Sequence, residues 1–95
     1  MISRALIIRG DLQSAQVLPW IEHRARLLDL KGWVARRNAQ ALEVALWGPE
    51  PLIDALEVAC LLGPADVQVD TIQARSHQFD ATPNGFAVVS TAPAA

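Results

Sequence analysis

Few side chains in this sequence could do covalent or metal chemistry, and they are scattered. His23 and His77 lie far apart with no cysteine or carboxylate cluster beside either. Each is expected at the surface, and no metal or cofactor is expected. Cys60 falls on the apolar side of a helical repeat, which favours packing over nucleophilic work. Ser14 has no base near it in sequence and reads as a loop or N-cap residue. Arg24, Arg26, Arg36 and Arg37 could form an anion patch, and a solvated helix face and a hairpin tip account for them equally well.

Composition narrows the function classes. A chain of 95 residues, 52% of them apolar, is read as one domain over 1–95 with enough apolar material for a core. A net charge of −2 gives no support for a nucleic-acid partner. Two Phe, three Trp and no Tyr are too few for a base-stacking platform. A single cysteine excludes an internal disulfide and suits a reducing compartment. With no leader pattern and no apolar run near membrane-spanning length, the expectation is a soluble cytoplasmic protein without a membrane partner.

The elements follow from periodicity. Arg4 to Arg9 reads as a strand closed by Gly10. Val17, Trp20, Ile21, Ala25 and Leu28 recur at helical spacing, with Pro19 in the first turn and Lys31-Gly32 as the stop. Trp33–Arg37 and Ala41–Trp47 form a hairpin around Asn38-Ala39-Gln40. A second helix follows Gly48-Pro49-Glu50-Pro51 and ends at Gly63-Pro64. Strands are expected from Val67 to about Gln73 and from Phe86 to Ser90, and a frayed tail over 91–95. The order β-α-β-β-α-β with an extra fifth strand predicts an α+β ferredoxin-like sandwich. Its antiparallel sheet is covered by two helices on one face, with the first and third strands central. Leu6, Ile8, Ile21, Leu28, Val44, Leu56 and Val69 are the expected core.

Gly10-Asp11-Leu12-Gln13, Gly32-Trp33-Val34, Gly63-Pro64 with Val69 and Ile72, and Gly85-Phe86-Ala87-Val88 occur in the order and spacing of a known family. Over roughly 4–90 the sequence resembles the acylphosphatases, small enzymes that hydrolyse acyl phosphates. Their first motif reads Gly-x-Val-Gln-Gly-Val-Gly-Phe-Arg. The resemblance implies an anion nest of backbone N–H groups, an arginine clamp on phosphate, and an asparagine on the second strand that orients water. It aligns Leu18 with that arginine and Arg36 with that asparagine. The degenerate phosphate loop would be Gln13, Ser14, Ala15, Gln16 and Val17, with Arg36 opposite. Ser14 and Gln16 stand where the family has glycines, so positive φ there would be costly. Arg36 could swing inward and replace the clamp. Asn38 shares its strand parity but lies ~6–7 Å further along, unless a bulge intervenes.

Three functions are compatible with this. The first is an acylphosphatase-like binding or interaction domain without efficient hydrolysis, holding at most a small anion. The second is an atypical acylphosphatase in which Arg36 or Arg9 rebuilds the clamp. The third is a small-molecule-binding regulatory module, on fold analogy. Strand parity also places Ile7, Ala35, Ala45 and Trp47 on the sheet face away from the helices. An apolar patch there predicts a homodimer or a protein partner through that face.

Overall fold

Two β-α-β units and a returning strand set the architecture of the computed structural model, which describes residues 1–92. The elements are β1 (Ile2–Asp11), α1 (Val17–Leu27), β2 (Lys31–Asn38), β3 (Ala41–Gly48), α2 (Glu50–Leu62), β4 (Gln68–Ser76) and β5 (Phe86–Val89). They form one sheet in the order β4-β1-β3-β2-β5. Both helices pack on one face, where Val17, Ile21, Ala25, Ile53, Leu56 and Cys60 meet Leu6, Ile8, Val34, Leu42, Val44 and Leu46. Of the expected core, Leu28 and Val69 are partly buried at its margin and the rest are fully enclosed. No helix among the described residues is long and apolar enough to cross a membrane. Of the expected tail over 91–95, residues 93–95 lie outside the described residues.

The first helix starts and stops earlier than its repeat suggests. Val17 is buried at its first turn, which leaves Pro19 inside that turn, where its missing N–H is harmless. At the other end, Asp29 adopts φ 55°, the Leu30 N–H bonds Ala25 O at 2.9 Å, and the Asp29 N–H bonds Arg26 O at 3.0 Å. This is a Schellman closure with aspartate in the left-handed position. Lys31 and Gly32, expected as the stop, therefore open β2 instead. Gly32 has φ 136°, and a Cβ there would lie 1.9 Å from Ala45 O.

The fifth strand corrects the expectation of a wholly antiparallel sheet. It pairs parallel with β2, Gly32 with Phe86 through Ala35 with Val89. The cause is topological. β4 lies at the opposite edge, and the segment 77–85 crosses the sheet's outer face to reach β2. Four interstrand steps of ~4.8 Å are well within the reach of such a segment. Phe79, Val89 and Ala92 pack there on Trp33, Ala35 and Ala45. His77 stands edge-on between the rings of Trp33 and Phe79, with centroids 6.1 and 4.5 Å away.

The outer-face residues are consequently not an open patch. Ile7, Ala35 and Ala45 are 0–1% exposed within the chain itself. Trp47 is half-buried, with Lys31 Nζ 5.5 Å from its ring centroid. Strand alternation identified the face and could not show that the chain's own crossover covers it. Enclosure on both faces also explains the unbroken apolar run Ala5-Leu6-Ile7-Ile8 in β1. At the free edge, the β1–β4 register shifts between Arg9 and Gly10, because Asp70 is an extra residue on β4.

Candidate functional site

Two buried side chains hold the segment that follows β1. Leu12 is fully enclosed and Val17 is 2% exposed, so the four residues between them bridge two anchors. Gly10 lets β1 lie close against β4 at the register shift; a Cβ on it would lie 2.1 Å from Gln68 O. Ser14 organises the bridge. Its hydroxyl accepts the Gln16 N–H at 3.1 Å and donates to Asp66 Oδ2 from the loop between α2 and β4. Gln16 is the N-cap in right-handed conformation, and the only non-glycine positive φ among the described residues is at Asp29. The segment thus follows a path that serine and glutamine adopt without strain. Among the described residues, the N–H groups of Gln13, Ser14, Ala15 and Leu18 have no backbone acceptor outside the segment's own helix.

The opposite wall is the end of the β2–β3 hairpin. Arg36 pairs with Leu42 and so shares the helix-facing side of the sheet. The register then shifts: Asn38 pairs with Ala41, leaving Arg37 as an extra residue. Arg36 Nη1 donates to Asn38 O at 3.5 Å, a long contact. Asn38 Oδ1 accepts the Gln40 N–H at 2.8 Å and closes the turn. Arg37 Nε lies 4.0 Å from Glu43 Oε1.

These walls enclose an open cleft of about 690 Å³. Gln13, Ser14, Ala15 and Leu18 line one side, Arg36, Arg37, Asn38 and Ala39 the other, and Ser90 follows β5 into it. The lining includes Arg36 and Arg37 and no carboxylate residue, and the Arg37 guanidinium turns toward Glu43, the partner of outer-face Ala35. Such a concave surface favours an anion. Asp66 approaches on the Ser14 side, engaged by the serine hydroxyl.

The expected residues divide. Gln13, Ser14, Ala15, Leu18 and Arg36 come together at the cleft. Val17 is buried in the core and Gln16 is exposed at the helix start, so their side chains lie outside the lining. Arg9 is exposed on β1 and is not part of the lining either. Arg37, Asn38, Ala39 and Ser90 complete it. Strand alternation puts the Arg37 side chain on the outer face, and its contact with Glu43, the partner of Ala35, agrees. Ser90 arrives through the parallel pairing of β5, for which the sequence carries no signal.

The other reactive candidates have structural roles. Cys60 is 2% exposed, and burial first, then the charge of Glu57, pushes its thiol pKa up to about 12. Arg24 lies 5.0 Å from the Trp20 ring centroid. Arg26 bonds Phe86 O at 3.0 Å and Glu22 at 3.1 Å. His23 is exposed. Among the described residues no group of three or more His, Cys, Asp or Glu is placed to hold a metal ion.

Comparison with known proteins agrees with this geometry. The family model for acylphosphatase matches residues 4–88. An acylphosphatase of Acidiphilium cryptum is 41% identical over 69 residues, covering 70% of this chain and 76% of the relative. One from Rhodopseudomonas palustris is 32% identical over 79 residues, covering 83% and 80%. The crystal structure of acylphosphatase from Bacillus subtilis superposes with a TM-score of 0.86 at 22% identity, over 94% of this chain and 99% of that one.

Proposed function

This chain belongs to the acylphosphatase family, and we propose that it binds a phosphoryl-type anion in the cleft while hydrolysing acyl phosphates near the uncatalysed rate. One observation carries the binding half. Arg36, on the helix-facing side of β2, lines a cleft whose lining contains no carboxylate residue. A guanidinium there can offer paired N–H donors to two phosphate oxygens. The Gln13 side chain and the backbone N–H groups of Gln13, Ser14, Ala15 and Leu18 supply neutral donors from the other side.

Two features support weak hydrolysis. Leu18, aligned by resemblance with the family's arginine, brings an aliphatic side chain into the cleft. Asn38, the asparagine of the lining, has its oxygen occupied by the Gln40 N–H. Phosphoryl transfer depends on positioning and charge stabilisation, and losing one preorganised group commonly costs ~10²–10³ in rate. The test uses purified protein with a simple acyl phosphate and, separately, inorganic phosphate. Saturable phosphate binding with turnover indistinguishable from background is expected. Turnover on the order of 1 s⁻¹ or faster would overturn the hydrolytic half, and no phosphate binding would overturn the other.

The register shift favours one second reading, a working but atypical acylphosphatase. By pairing, Asn38 stands one step beyond Arg36 rather than two, which removes ~3.3 Å of the separation expected along a regular strand. Its amide nitrogen remains free to hold water while Arg36 clamps the phosphoryl group. Under that reading Asn38→Ala lowers kcat by about 10²-fold or more. Under the first there is no turnover for it to lower.

A further inference from the structure

We propose that two copies of this chain associate weakly through their helix layers, each α2 lying against α1 of the other copy. Of the six large apolar side chains exposed among the described residues, four lie on the two helices: Leu27 at 69%, Val58 at 59%, Leu61 at 54% and Leu62 at 79%. On α2 they belong to a second apolar stripe. Ile53, Leu56 and Cys60 face the sheet. Exposed Ala55, Val58 and Leu62 recur at spacings of three and four on the opposite side. A helix apolar on two opposed sides is built for cover on both.

Charge selects the occupant and its orientation. α2 carries Glu50, Asp54 and Glu57 and no basic residue. Arg4 answers them with one positive charge, and the Glu50 and Asp54 side chains stay more than half exposed. α1 carries Arg24 and Arg26 against Glu22. Arg24 is exposed over Trp20, and its charge lies close enough to α2 to act on Cys60. The helix layer is therefore acidic over α2 and basic over α1. β1 and β2 both run antiparallel to β3, so the helices that follow β1 and β3 are antiparallel to each other. A two-fold axis along the helices lays each α2 antiparallel on α1 of the other copy, acid against base. An axis across them would set α2 on α2, acid against acid. The exposed side chains amount to a patch on the order of 400 Å², about half the ~800 Å² per partner of a standard interface. The complex is accordingly transient, with a Kd on the order of 100 μM.

Sedimentation at low salt across roughly 10 μM to 1 mM brackets this constant, and amide NMR shifts followed on dilution locate the face. The wild-type chain is expected to pass from monomer to dimer, with the dilution shifts confined to α1 and α2. Leu62→Glu should hold the chain monomeric over the whole range, and Arg24→Glu should weaken the dimer about tenfold. Should Leu62→Glu fail to fold, Val58→Glu in the middle of the same stripe takes its place with the same expected outcome. A wild type that stays monomeric overturns the proposal; if its helix layer then binds a basic amphipathic peptide, the face belongs to a different protein. A dimer whose dilution shifts fall on β4 or around Trp47 overturns it as well. Undiminished dimerisation of Arg24→Glu overturns the packing of α2 on α1.

Discussion

Arg4 and Arg36 both project from the helix-facing side of the sheet, toward its opposite ends, and their neighbours treat them differently. Arg4 Nη1 donates to Asp54 Oδ1 at 2.6 Å and reaches Glu57 at 3.4 Å, while Nη2 reaches Glu50 at 3.3 Å. These three carboxylates come from successive turns of α2, so one guanidinium ties that helix to β1. Arg36 has a single long contact with a carbonyl. The same residue type thus serves as a tie at one end and as an unspent donor at the other. A cation whose acceptors are supplied by its own fold is structural. One left facing a cleft without a carboxylate is available to a ligand.

The contrast can be broken most directly at Arg36. Arg36→Met should lower phosphate affinity by about 10–100-fold, the scale of a lost charge-assisted hydrogen bond, and shift stability by no more than ~0.5 kcal/mol. Titration and urea denaturation of one sample measure both. A stability loss as large as that in Arg4→Met would erase the distinction. Arg4→Met should do the reverse, costing about 1–2 kcal/mol with phosphate affinity unchanged. That figure is kept low because Asp54 and Glu50 are more than half exposed and water screens them. In 1 M salt the cost should shrink, which separates lost charge pairing from lost packing.

A smaller effect is expected at the Ser14–Asp66 link. Asp66→Asn removes a negative charge beside the 13–18 segment and should raise phosphate affinity about two- to fivefold at low salt, with the gain fading at higher salt. Lower affinity would instead mean that the carboxylate holds the segment in its binding shape. Cys60 is a control away from the cleft. Its folded pKa is raised from 9.0 to about 12 chiefly by burial, so the folded state binds the proton more tightly than the unfolded state. That contribution to stability is complete below pH 9 and is lost as pH rises toward 12. Cys60→Ala should flatten this part of the pH–stability curve. The smallest effect is expected at the sheet's outer face. Because Ile7, Ala35 and Ala45 are already enclosed by the chain, Trp47→Glu should leave the sedimentation coefficient unchanged across a concentration series. A concentration-dependent increase in the wild type alone would revive association through Trp47.

How far the sequence carries depends on whether a feature repeats. Leu42-x-Val44-x-Leu46 and Val17, Ile21, Ala25 state their faces through period, and the structure places each of them in the core. Gly63 ends α2 at φ 67° where glycine is needed. Single-residue departures have no period to announce them. Asp29 closes α1 in a conformation that aspartate adopts only occasionally. Arg37 is one residue too many in β2, and that one residue brings Asn38 a step closer to Arg36. The direction of β5 was equally silent, because Phe86–Val89 reads the same way whether it runs with β2 or against it. With it went the crossover over the outer face and the place of Ser90. The fold is therefore written in repeated residues, and the candidate site in exceptions to the repeat.

The extra residue at Asp70 has a consequence for how this protein behaves when concentrated. β4 is a nine-residue strand at the sheet's free edge, and an uninterrupted row of unpaired backbone groups of that length is a template for another chain. Asp70 splits the row into two stretches whose registers differ by one residue, so a strand laid along Thr71–Ser76 loses step before it reaches Val69. The opposite edge ends in β5, only four residues long, which offers little to pair with. Growth of the sheet by strand addition is thus blocked on one side by a phase slip and on the other by brevity.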